Sequence, residues 1–280
     1  MEALTLERQK TLAADLRRLH HGSEILVLAN CWDVASACVL EQAGVPAIAT
    51  SSAGVAFSLG YADGQRISRE EMLAVVARIT RAVQVPVTAD VESGYGPRPE
   101  DAARTALSVI EAGAVGMNLE DSGDESDTAL VDVSLAVEKI RAVRVAGDKA
   151  GVPLVINART DVYLNEVGAP NSRYDHALRR AAAFRDAGAD CIFLPGIKDP
   201  GLIARFVQDL KFPINILAGP GVLPVPELQR LGVARVSLGS KPMLAGLGLL
   251  RRLAAELRDS GTYAALEGAV TYAEMQKLLG

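Results

Sequence analysis

Residues 88–96 read TADVESGYG, an apolar strand (Val85-Pro86-Val87) running into two acids, Asp90 and Glu92, and then into glycines. Acids one residue apart on a strand project to the same side, where two carboxylates repel and raise each other's pKa. A divalent cation bound between them would remove that conflict. Magnesium suits such a place, because it takes few direct carboxylates and keeps waters that further acids can hydrogen-bond, with manganese as a substitute. Zinc would call for histidine or cysteine.

Other chemistry-bearing residues stand where neighbouring apolar runs end. Thr50-Ser51-Ser52-Ala53-Gly54 offers N–H and hydroxyl donors for a carboxylate, and the loop beyond carries Tyr61-Ala62-Asp63-Gly64. Further on come Asn118 with Glu120-Asp121, Arg159 with Asp161, Asn215, and Ser240-Lys241. Asp63, Asp90, Glu92 and Glu120 are thus expected at one mouth, faced by Arg159, whose planar guanidinium suits a substrate carboxylate. A salt bridge from Arg159 to one of the acids is the purely structural alternative.

The elements that must position them repeat. EQAGVPAIAT, EAGAVGMNLE, KAGVPLVINA, DAGADCIFLP and RLGVARVSLG each place a glycine between helix-like sequence and a short apolar run. Glycine suits a left-handed helix cap, and the run suits a strand buried on both faces. Eight strands are expected, at Ile25–Ala29, Ala47–Thr50, Pro86–Asp90, Val115–Glu120, Leu154–Ala158, Cys191–Leu194, Ile214–Leu217 and Arg235–Leu238. Eight strands, each followed by helical sequence, in 280 residues predict a single α/β domain, a (β/α)8 TIM barrel over 1–280, whose chemistry sits at the strand C-termini. No GxGxxG follows the first strand, as a dinucleotide fold would need. Helical sequence over Lys241–Ser260 and Tyr263–Leu279 exceeds what a barrel needs and predicts a C-terminal helical extension over about 253–280.

A net charge of −5 argues against a nucleic-acid or anionic-membrane partner, so an anionic substrate must be attracted locally. Cys31, Cys38 and Cys191 have no CxxC spacing and read as reduced thiols. The first 22 residues lack a signal peptide's apolar core, and the uncharged stretches are broken by glycine and proline, so a cytoplasmic location is expected. His20, His21 and His176 fall outside the strand ends and are expected to be solvated.

TSSAGVA, GYADGQ, TADVESGYG, NLED and NARTD, in this order, resemble the isocitrate lyase/phosphoenolpyruvate mutase superfamily over about residues 25–245. The resemblance implies a Mg²⁺-dependent barrel acting on small anionic 2-oxo or 2-hydroxy acids through an enolate of pyruvate. It also implies a homotetramer, a dimer of dimers with the C-terminal helix exchanged between subunits. It makes Asp90 the main metal ligand, with Asp63, Glu92 and Glu120 holding the ion through water. Ser51, Ser52 and Ala53 would then bind substrate and Arg159 would clamp it. Asn118 stands where many lyases have histidine, and Glu92 where many members have aspartate.

The chain departs from the pattern after the fourth strand. DSGDESDTALVD has neither the lyases' Lys-x-Cys-Gly-His loop nor the mutases' lysine and Asn-Ser pair, and Phe193-Leu194-Pro195-Gly196 lacks their glutamate or histidine. Decarboxylation of a β-keto acid such as oxaloacetate asks least of such a site, with Tyr61, Asp63 or a metal water as proton source. Cleavage of a methylisocitrate-like substrate follows, and phosphonate chemistry of the mutase or hydrolase type comes third. Two readings lie outside this set: a Schiff-base lysine at Lys198, and a phosphate-binding or non-catalytic barrel using the glycines of Ala218–Gly221 and Gly239-Ser240-Lys241.

Overall fold

The computed structural model describes residues 4–123 and 130–280. The part of the DSGDESDTALVD loop over 124–129 therefore lies outside the described residues. Among the described residues nine parallel strands form one nearly closed sheet: β1 (Leu26–Leu28), β2 (Asn30–Cys31), β3 (Ile48–Thr50), β4 (Val87–Asp90), β5 (Gly116–Glu120), β6 (Val155–Arg159), β7 (Cys191–Phe193), β8 (Ile214–Leu217) and β9 (Arg235–Ser237). The ninth strand arises because the expected first strand is broken at Ala29. Its lower half, β1, pairs with β9, and its upper half, β2, pairs with β3. The two halves occupy one position, so the fold is the expected (β/α)8 barrel.

Above Leu28 no backbone ladder joins the first and last strands, and the side chain of Asn30 spans the gap. Its Oδ1 accepts from the N–H groups of Leu238 and Gly239, both at 2.8 Å, while Nδ2 donates to Thr50 O at 2.9 Å.

The repeating glycines act as expected. Gly44, Gly113, Gly151, Gly188 and Gly232 all take φ between 76° and 107°, so each ends its helix and turns the chain into the next strand. The strands behind them are buried on both faces, as parallel strands between helices must be. Helix α1 (Leu6–Leu19) buries Leu12, Ala13 and Leu16 in the same core.

His20 differs from expectation. It follows α1 into the protein interior, with Nδ1 2.8 Å from Leu16 O and Nε2 3.4 Å from Arg235 Nη1. A carbonyl can only accept, so the proton lies on Nδ1 and Nε2 receives the guanidinium N–H. Burial, reinforced by Arg235, lowers the pKa to about 4 and keeps the ring neutral.

The C-terminal segment is less regular than a single helix. Helix α10 runs over Lys241–Asp259, a short 3₁₀ turn covers Ala264–Leu266, and α11 spans Tyr272–Leu279. Glu256 interrupts continuity by accepting from the N–H groups of Ala264 and Ala265 (2.6 and 2.9 Å), and a Thr271–Glu274 capping box starts α11 afresh. Among the described residues no helix is long and apolar enough to cross a membrane.

Candidate active site

The strand C-termini open into two adjoining spaces. The outer cleft, about 520 Å³, is lined by Asp63, Gln65, Glu92, Tyr95, Glu120 and Ser122 among others. The inner cavity, about 170 Å³, is lined by Ser51, Ser52, Ala53, Asp63, Asp90, Asn118 and Arg159 on one side. Leu164, Phe193, Pro195 and Leu217 add an apolar part to the lining, with Asn30, Ser237 and Ser240.

Asp90 ends β4 with both oxygens held. Oδ2 accepts from Ser52 N (3.2 Å) and Ser52 Oγ (2.9 Å), and Oδ1 accepts from Asn118 Nδ2 (3.3 Å). The Ser52 N–H is therefore directed at Asp90, while Ser51 Oγ caps its own helix by accepting from Gly54 N at 3.1 Å. Small residues here bring that helix start close to the acid.

Glu92 reaches the site by a different route from the expected strand alternation. β4 ends at Asp90, and Glu92 lies beyond it with φ of 51°, in a turn where Tyr95 (56°) and Gly94 (96°) are also left-handed. Such a turn needs support. Gln65 donates its backbone N–H to Glu92 Oε2 (2.7 Å) and its side-chain amide to Ser93 Oγ (2.7 Å), and accepts from Tyr95 N (2.7 Å). The buried Lys139 donates to Ser93 O (3.0 Å) and Gly96 O (2.8 Å).

Burial raises the pKa values of Glu92, Asp63 and Glu120, and neighbouring acids add to it. Burial, with Asp90 and Asp63 adding to it, pushes the Glu92 carboxyl up to about 7. Asp63 stands at the open mouth, yet desolvation by the protein around it and then Asp90 still raise its pKa. Burial pushes Glu120 well above the usual carboxylate range, against the opposing pull of Arg159.

Arg159 is committed within the protein. Nη1 pairs with Glu120 Oε2 at 2.7 Å, while Nε and Nη2 donate to the two oxygens of Asp161 at 2.6 and 2.8 Å. Phe193 lies under the guanidinium, 5.7 Å from its carbon to the ring centre. The salt bridge weighed from sequence is present, and a face of the guanidinium still borders the cavity.

Two expected residues are placed elsewhere. Tyr61 points its hydroxyl at Glu71 Oε1, 3.0 Å away on helix α4 (Arg69–Ala82), and lines neither space. Local capping explains this: Glu71 already accepts from Ser68 at the start of α4 and attracts the phenol as well. Asn215 is also set back; its Nδ2 donates to Ser237 Oγ at 3.1 Å, and Ser237 lines the cavity in its stead.

Gln65, Tyr95, Lys139 and Asn157 were not singled out in the sequence, because their roles depend on backbone turns and cross-strand contacts. The GYG of the opening stretch is the nearest signal for Tyr95, whose hydroxyl is buried without a partner. Of the outlying residues, the thiol of Cys31 is buried and its pKa pushed up to about 12 by that burial, while the candidate Lys198 is exposed and lines neither space. Gly219 and Gly221 make turns (φ 152° and 85°), with the Lys241 stem packed over Gly219.

Three features bear on whether a hard cation fits. Glu92 Oε1 is buried without a partner, Glu92 and Asp63 carry raised pKa values, and no histidine or cysteine is among the described residues lining either space. Among the described residues no three ligating side chains converge closely enough to hold one ion between them. The arrangement suits an ion with one direct carboxylate and a shell of water.

The sequence model described as phosphoenolpyruvate phosphomutase matches residues 16–258. The chain belongs to the phosphoenolpyruvate mutase/isocitrate lyase superfamily. It is 32% identical to 2-methylisocitrate lyase of Escherichia coli, over 81% of this chain and 77% of that one. It is 30% identical to oxaloacetate decarboxylase 2 of Pseudomonas fluorescens, over 68% and 64%. A crystal structure from Burkholderia cenocepacia superposes with a TM-score of 0.91 at 36% identity, covering 97% of this chain and 96% of that one. Phosphonopyruvate hydrolase, solved with oxalate and Mg²⁺, superposes with a TM-score of 0.83 at 25% identity, over 95% and 94%.

Proposed function

We propose that this superfamily member is a Mg²⁺-dependent lyase for small 2-oxo or 2-hydroxy acids, and that decarboxylation of a β-keto acid such as oxaloacetate is the reaction its site suits best. One observation carries the choice. Among the described residues lining the inner cavity, Arg159 is the single cation, and it is already balanced by Glu120 and Asp161. Histidine, cysteine and lysine are absent from that lining, and residues 124–129 (DESDTA) include none of them.

Asp90 would hold the ion directly, with Asp63, Glu92 and Glu120 reaching it through water. Bound there, Mg²⁺ would draw negative charge onto the 2-oxo oxygen of the substrate. Arg159 and the hydroxyl of Ser51 would orient the 1-carboxylate. The leaving carboxylate would face Leu164, Pro195 and Leu217, apolar side chains that offer it no counter-charge. As the C3–C4 bond breaks and carbon dioxide departs, the electron pair moves toward C2 and its oxygen. Asp63, whose pKa is raised by desolvation and then by Asp90, would return a proton to C3.

Carbon–carbon cleavage of a methylisocitrate-like acid is the second reading, favoured by the likeness to the E. coli lyase. A 2-oxo product is common to both. Pyruvate release from oxaloacetate and from methylisocitrate, with Mg²⁺ and with chelator, tests them against a blank without enzyme. Metal-dependent release from oxaloacetate above the blank supports the first reading; release from methylisocitrate alone replaces it with the second.

A further inference from the structure

Arg235 has so far entered only as the donor to His20. It opens β9, and its side chain crosses the barrel to β5, four strand positions away around the sheet. Its exposure is 0%, and no carboxylate pairs with it among the described residues. Nη1 donates to neutral His20, Nη2 donates to Asn118 Oδ1 at 3.5 Å, and Nε has no partner. Burial lowers its pKa to about 10, which leaves it charged at neutral pH. An unpaired buried cation is strongly unfavourable, so its position calls for a reason.

Asn118 supplies one. Its Oδ1 receives two donors, Asn157 Nδ2 at 2.7 Å and Arg235 Nη2 at 3.5 Å. Two donors converging on one amide atom require that atom to be oxygen. The NH₂ group must then face the other way, where it donates to Asp90 Oδ1 at 3.3 Å. With Ser52 holding Oδ2, the carboxylate is oriented from both sides before any ligand arrives.

We propose that Arg235 is a positioning residue that locks the Asn118 amide from the opposite wall and thereby aims Asp90 at a divalent cation. The inference rests on the reading of Asp90 as the direct Mg²⁺ ligand. Its effect is opposite in sign to that of simple charge. A buried cation near the site repels Mg²⁺, so removing Arg235 would tighten binding if charge were its whole contribution. Removing an orienting group behind a ligand loosens binding, typically by about 10–100-fold.

Calorimetric Mg²⁺ titration without substrate, alongside thermal unfolding in chelator, separates the two. Arg235→Met should weaken Mg²⁺ binding by about 10–100-fold. Asn157→Val changes no charge and removes the other donor to the same oxygen. It should weaken binding in the same direction, and it provides the test if Arg235→Met does not fold. Unchanged or tighter Mg²⁺ binding in the folded variants overturns the proposal. A wild-type protein that binds no Mg²⁺ overturns the metal reading itself, and this inference with it.

Discussion

The backbone N–H of Gln65 donates to Glu92 Oε2 at 2.7 Å while Oε1 stays buried without a partner. The loop bearing Asp63 is thus tied to the turn bearing Glu92, and one carboxylate oxygen is left to face the acid cluster. That half-satisfied state makes the metal-free protein sensitive to pH. Burial and its acidic neighbours raise Glu92 from 4.5 to about 7. Between those values the folded state holds a proton that the unfolded chain has lost, so stability falls as pH rises and levels off above about 7. The cost approaches about 3 kcal/mol. Thermal unfolding in chelator should give a higher Tm at pH 5 than at pH 8, with a shallower difference in Glu92→Gln.

Asp90→Ala should lower metal-dependent turnover by roughly 100-fold or more, since the direct ligand is lost. The fold should survive, because the substitution also removes a charge from a repelling cluster. Circular dichroism and Tm in chelator close to wild type, together with lost activity, are the expected pair. Retention of most of the activity would remove Asp90 from the metal site.

Tyr61→Phe should leave kcat and KM within about twofold of wild type, because the lost hydroxyl serves an exposed bond to Glu71. A tenfold fall in kcat would restore Tyr61 as the proton source. Tyr95→Phe should unfold no more readily than wild type, since it deletes a buried hydroxyl that has no partner.

Lys139→Met should destabilise the protein by about 2–4 kcal/mol, because a buried and a part-buried carbonyl of the Glu92 turn lose a charged donor. Urea unfolding measures this directly. A stability change under about 0.5 kcal/mol would mean the turn holds its left-handed residues without the lysine.

Leu244, Leu247, Leu250 and Leu257 on α10 are exposed, as are Tyr263, Leu266, Val270 and Tyr272 beyond it. So much apolar surface on one segment predicts self-association, in line with the tetramer implied by family resemblance. Light scattering on the purified chain should show a mass near four subunits, and removal of residues 262–280 should lower it. A monomeric full chain would refute the expectation.

The barrel could be read from the sequence because its signals are local: a glycine after five of the helices and an apolar run after each of those glycines. Asp90 was legible for the same reason, as an acid ending a run of buried residues. Glu92 was assigned to the right neighbourhood by the wrong geometry, since strand alternation says nothing of a left-handed turn. Tyr61 and Tyr95 show the limit well. Both lie near the acids in sequence, and only the capping of α4 decides which phenol turns away. Arg235 and His20 were less accessible still, because their contact is made across 215 residues of chain.

Asn30 has a dual position, closing the upper seam of the barrel and bordering the inner cavity. The upper seam therefore depends on one side chain where its neighbours have a ladder of backbone bonds. In the free protein the amides of Leu238 and Gly239 should exchange with solvent deuterium well before those of the adjoining strands. A ligand packed against Asn30 would slow that exchange, so the seam would report occupancy of the cavity whatever reaction follows.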